Sequence, residues 1–100
     1  MRSGQLPWDD LKLLLAAERS ASLAGLAAEL GVDPTTASRR LKQLERTIGL
    51  SLVVRSHGAI RLSDEGRQLV RHAQTMEEAE RAFLVSLRQL TDAPEGVIRI

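Results

Sequence analysis

LAAELGVDPTTASRRLKQLERTI, residues 26–48, decides how the rest of the chain is read. It divides into helix, tight turn and helix, and the second helix has two chemically opposite faces. Ala37, Leu41, Leu44 and Ile48 recur at the spacing of a buried stripe. Thr35, Arg39, Lys42 and Arg46 recur at the same spacing, offset by two residues. Two residues turn a helix by about 200°, so the stripes lie back to back. A helix held to a core by one side and presenting cations and hydroxyls on the other suits the major groove of DNA.

The local signals around this stretch agree. Asp33 is an N-cap candidate, Pro34 fits the first helical position, and Val32 with Ala37 can form a hydrophobic staple across the cap. Gly31 and Gly49 mark the ends of helices 2 and 3, the latter spanning Pro34 to Ile48. Towards the N-terminus, helix 2 runs to Leu30 with Leu23, Leu26, Ala27 and Leu30 inward and Ser20 or Ser22 as its cap. Ala27 and Ala28 allow close helix approach. Helix 1 is expected over Trp8–Arg19, with Trp8, Leu11, Leu14 and Leu15 facing the core and Trp8 as a core or rim anchor.

Beyond Gly49 the period changes. Leu52-Val53-Val54-Arg55 and Ile60-Arg61-Leu62 alternate like strands around a polar tip, Ser56-His57-Gly58-Ala59. Two strands are not stable alone, so this wing must pack through Leu52, Ile60 and Leu62. Ser63 then caps a helix predicted to run from Asp64 to Thr91, and 28 residues span roughly 42 Å, too long for one small core. Leu69, Ala73, Met76, Phe83, Leu87 and Leu90 follow alternating steps of four and three, interrupted by Glu80. That is a coiled-coil-like seam, from which helix-to-helix dimerisation is expected. Asp92 to Gly96 has the composition of a linker, and Val97 to Ile100 that of a first strand of a further domain.

Composition narrows the function classes. A length of 100 residues fits one domain with one modest core. The absence of cysteine excludes disulfides and thiolate metal sites. No apolar run reaches the roughly 18 residues of a membrane span and no signal-peptide core is evident, so a cytoplasmic protein without membrane attachment is expected. The net charge of +1 conceals a division: residues 35–72 hold eight Lys and Arg against three acids, while both flanks are net acidic. Concentrated cations around a two-faced helix indicate a polyanion partner. His57 and His72 lack companions at metal-ligand spacing, and no catalytic constellation or glycine-rich phosphate loop occurs. No enzyme activity, metal or cofactor is expected of this segment.

Taken in order, several pieces of the chain resemble the N-terminal region of LysR-type transcriptional regulators. They are Leu26-Ala27-Ala28-Glu29-Leu30, Ala37-Ser38-Arg39, Leu44-Glu45, Ile48-Gly49-Leu50, Leu52-Val53-Val54-Arg55 and Leu62-Ser63-Asp64-Glu65-Gly66. The resemblance spans roughly residues 6–100. It implies a mainly α fold: a winged helix-turn-helix of three helices and a two-stranded wing (residues 1–62), then a long linker and dimerisation helix (63–92). Residues 93–100 would be a hinge and the start of an effector-binding domain, where a small-molecule co-inducer would bind. The implied partners are double-stranded DNA and a second copy of the chain, with a tetramer possible at full length. Departures stand beside the matches. Pro34 and Thr35 occupy positions where the family often has Gln and Pro, Val53 and Leu23 replace common phenylalanines, and Gly58 stands where a basic wing-tip residue is frequent.

The DNA-contact candidates are Thr35, Thr36, Ser38, Arg39, Lys42, Arg55, His57 and Arg61. Arg39 can grip guanine with two hydrogen bonds, or a phosphate. Thr35 and Thr36 place hydroxyls and free N–H groups at a helix start, and Lys42 lies one turn deeper, towards phosphate. By the resemblance, Ser38 meets a phosphate and Arg55 reaches the backbone or minor groove from the wing. Arg40 is divided between the DNA backbone and Glu45, and His72 is assigned to the surface or the dimer interface. Two other readings remain open at this point: a winged-helix regulator of another family, such as the MarR type, and a helical dimerisation module without DNA function.

Overall fold

The computed structural model describes residues 6–91, and the expected hinge and strand at 93–100 lie outside the described residues. Its elements are α1 (Trp8–Arg19), α2 (Leu23–Leu30), α3 (Pro34–Ile48), β1 (Val53–Ser56), β2 (Ala59–Leu62) and α4 (Asp64–Thr91). The two strands are antiparallel, with Val53 opposite Leu62 and Ser56 opposite Ala59. This is the winged helix-turn-helix with a long fourth helix expected from the sequence.

The caps explain where the helices begin and end. Ser22, not Ser20, caps α2, its side chain accepting from the Gly25 N–H at 3.0 Å. Asp33 caps α3 by accepting from the Thr36 N–H at 2.7 Å. α2 and α3 end at Gly31 and Gly49. Ser63 caps α4 from a buried position: its Oγ accepts from the Gly66 N–H at 3.0 Å and donates to the Ser51 carbonyl at 2.7 Å. One serine thereby joins the approach to β1 to the first turn of α4.

The core is aliphatic and drawn from every element. Leu15, Leu26, Leu41 and Leu52 are its largest fully enclosed side chains. α1 sits centrally, against α2, α4 and β2. Its buried segment is accordingly continuous from Leu13 to Ala17, wider than the expected stripe, while Leu11 is only half-buried. The wing packs through Leu52, Ile60 and Leu62 as anticipated. Its tip is tighter than the four-residue reading: Ser56 and Ala59 pair, leaving a two-residue turn in which His57 (φ 51°) and Gly58 (φ 82°) both take the left-handed conformation that matches strand twist.

α4 behaves as two different helices along its length. Gly66, Val70 and Ala73 are buried against the winged-helix core. A Cβ on Gly66 would lie 2.3 Å from the Leu52 carbonyl oxygen, so only glycine permits this approach. Past this region Phe83 and Leu90 are 66% and 86% exposed. The expected seam therefore needs correction at its N-terminal end. Ala73 is 2% exposed, so its side chain is not free to meet a second helix, and Leu69 is half-buried, packing in part on the core. Glu80, the interruption in the seam, accepts from Trp8 Nε1 at 3.2 Å. Trp8 is thus a rim anchor tying α1 to the middle of α4, with Lys12 Nζ 5.8 Å from its ring centroid.

Candidate nucleic-acid interface

α3 presents the charge division expected of it. Ala37, Leu41 and Leu44 are 0%, 0% and 3% exposed. On the opposite side Thr35, Ser38, Arg39, Lys42 and Arg46 line one open groove, together with Leu23 and Pro34. Arg39 and Lys42 extend into solvent, while Arg46 donates to Gln43 at 2.9 Å. The wing tip adjoins this groove, because the Leu23 N–H donates to the Gly58 carbonyl at 2.9 Å. His57 is exposed at that tip but does not line the groove.

The start of α3 differs from the sequence expectation. The Thr36 N–H is engaged by the Asp33 carboxylate and is not a free donor for phosphate. That N–H, followed by the nearby Thr36 hydroxyl, holds the Asp33 carboxyl below its usual range, and Arg39 adds a smaller attraction. The helix N-terminus already carries its anion, so it is not an empty phosphate cradle.

Arg55 is also placed otherwise than expected. Rather than projecting from the wing, it folds against α3: Nη1 donates to Ser38 Oγ at 2.6 Å and Nη2 lies 3.8 Å from Glu45 Oε1. Its side chain is 25% exposed. Glu45 Oε2 in turn accepts from the N–H groups of Leu52 and Val53, at 2.8 and 3.2 Å. Glu45 was legible only as a partner for Arg40 and as part of a family match; its position as the single acid on an otherwise basic turn of α3 was the available signal. Arg40 instead shares a groove with Asp9 and Asp10 on the other side of the helix. Arg61 is not gathered into the α3 groove. It lies with Arg67 and Arg71 in a separate cleft between α1, β2 and α4.

Fold and groove together define a winged helix-turn-helix with a cationic recognition helix. The family model described as "Bacterial regulatory helix-turn-helix protein, lysR family" matches residues 8–67, and the chain belongs to this family. Among relatives, the regulator DmlR of Escherichia coli is 29% identical over 92% of this chain and 30% of its own length. The activator TtdR of the same species is 31% identical over 91% of this chain and 29% of its own length. The chain thus spans about 30% of the length of such relatives. Full-length LysG of Corynebacterium glutamicum superposes with a TM-score of 0.76 at 27% identity, covering 90% of this chain and 32% of that one. The CbnR DNA-binding domain, solved in complex with DNA, gives a TM-score of 0.68 at 28% identity, over 81% of this chain and 94% of that one. Membership of the LysR family sets aside the MarR-type reading.

Proposed function

We propose that the chain binds double-stranded operator DNA sequence-specifically, as the DNA-binding part of a LysR-type transcriptional regulator, and does so as a homodimer. The observation that carries this reading is the gathering of Thr35, Ser38, Arg39 and Lys42 on one exposed groove of a helix whose other side is sealed in the core. α3 enters the major groove with Arg39 as base reader and Lys42 on phosphate, and the wing tip at His57 follows the backbone. The distal part of α4, through Met76, Phe83, Leu87 and Leu90, pairs with a second copy and fixes the spacing of two half-sites. In the complete regulator a C-terminal domain takes a small-molecule co-inducer, tetramers are open to it, and the chain works in the cytoplasm without catalytic activity of its own. Among the described residues no helix is long and apolar enough to cross a membrane.

Support comes from the family membership and from the solved CbnR–DNA complex of the same fold. The test is a mobility-shift titration against random and operator-like duplexes at several salt concentrations. Binding that weakens steeply with salt, by one counterion release per phosphate neutralised, is expected. No binding to any duplex at low salt would leave only the dimerisation-module reading.

A further inference from the structure

We propose that Arg55 serves DNA binding through Ser38, as a positioning residue, and makes no phosphate contact of its own. The proposal rests on the DNA-binding reading above and assigns one of its contacts. Arg55 is held from two directions, by Ser38 Oγ at 2.6 Å and by Glu45 Oε1 at 3.8 Å. Its Nη2 is buried and has no hydrogen-bond partner among the described residues, so this end of the guanidinium is turned inward, while the side chain as a whole is 25% exposed. Glu45 is fixed by the two wing N–H groups it accepts from.

The consequence falls on the serine. A guanidinium only donates, so the Ser38 oxygen must be the acceptor of this bond. A serine within a helix commonly turns its own hydrogen back to the carbonyl four residues earlier, but Ser38 makes no such bond among the described residues. Its hydroxyl hydrogen is left to donate into the groove it shares with Thr35, Arg39 and Lys42. A neighbouring cation polarises that O–H and favours an anionic acceptor. The matching group on duplex DNA is a backbone phosphate oxygen. Arg55 thereby sets which way Ser38 donates, and Glu45 sets where Arg55 stands.

The experiment uses a duplex selected by the unaltered chain from a random library, with backbone phosphates replaced one at a time by neutral methylphosphonates. One position should weaken binding of the unaltered chain roughly ten-fold or more, the scale of one hydrogen bond to a charged group. Ser38→Ala and Arg55→Met should each lose sensitivity at that same position, and the double variant should bind no more weakly than the weaker single variant. Losses that add, or an Arg55→Met footprint at a different phosphate, would overturn the proposal by showing a direct contact. A change in base preference with Ser38→Ala, without loss at any phosphate, would overturn it in favour of base contact. Thermal melts establish that each variant folds. If Arg55→Met does not, Ser38→Ala decides alone: sensitivity equal to that of the unaltered chain at every phosphate would overturn the proposal. An unaltered chain that binds no duplex fails the DNA-binding reading itself.

Discussion

α3 and α4 are both amphipathic, yet their apolar stripes have different fates. The stripe of α3 is used up by the protein's own core, and what remains outside is a row of cations and hydroxyls. The stripe of α4 is used up only over its first part, and the remainder keeps Met76, Phe83 and Leu90 in solvent. These three lie seven residues apart, on a line with Leu69, while Ala73, Glu80 and Leu87 form the companion line nearer the core. A helix that has finished burying its apolar face is left with polar chemistry to offer a ligand. One that has not is left with hydrophobic surface, whose natural cover is a like surface.

The largest effect that can break this contrast is in the core. Leu41→Ala removes a fully buried side chain from α3 and should destabilise the fold by about 2–5 kcal/mol in urea denaturation. Phe83→Ala, made on the exposed stripe, should leave the stability of the single chain nearly unchanged. Comparable losses from the two substitutions would erase the distinction between the helices. Next comes self-association. Phe83→Glu should shift a dimer to monomer in sedimentation velocity, weakening association about ten-fold or more by placing a charge in an apolar seam. An unaltered sedimentation coefficient would mean that the distal stripe is not the interface.

Smaller effects sharpen the description of α3. Arg39→Ala should cost about 1–3 kcal/mol on a preferred duplex and much less on random DNA, erasing preference at one base pair. Lys42→Ala should instead weaken both duplexes alike and reduce the salt slope by about one. Competition binding on the two duplexes separates these outcomes. The smallest effect concerns the cap. The Thr36 N–H lowers the pKa of the folded Asp33 carboxyl from its ordinary value of 3.8. Its stabilisation is therefore full above that range and is lost as pH falls through and below it. Asp33→Asn should make acid unfolding in this window shallower, as followed by circular dichroism; an unchanged acid profile would count against the cap.

Much of this was legible in the sequence because it is written locally. Asp33-Pro34 and Gly49 bound α3, Ser63 opens α4, and alternation places Ile60 and Leu62 inward; each needs only neighbours within a turn or two. The errors arose where a side chain's partner is distant along the chain. Arg55 meets Ser38 and Glu45 on another element; Trp8 is the rim anchor expected of it, but spacing does not reveal its partner Glu80, 72 residues away. Ala73 fits a repeating seam as well as it fits the core, since spacing tells which residues share a face but not what covers that face. For the site, the grouping on α3 was recoverable from period and charge. The engagement of the Thr36 N–H by Asp33 was implicit in the cap itself, because a capped N–H is no longer available to a ligand. The cleft that Arg61 enters is not legible, because alternation shows only that it points outward.

The wing's attachment to α2 has a further meaning. The Leu23 N–H donates to the Gly58 carbonyl, and the Ile60 N–H donates to the Ala21 carbonyl at 3.0 Å, so β2 has backbone partners on both edges. The hairpin is therefore clamped to the segment that precedes the helix-turn-helix, and is not a flap that can adapt to its target. With the two reading elements tied by these backbone bonds, part of the adjustment in the encounter falls to the duplex. Base steps that bend or narrow easily are then favoured even where no side chain reaches them.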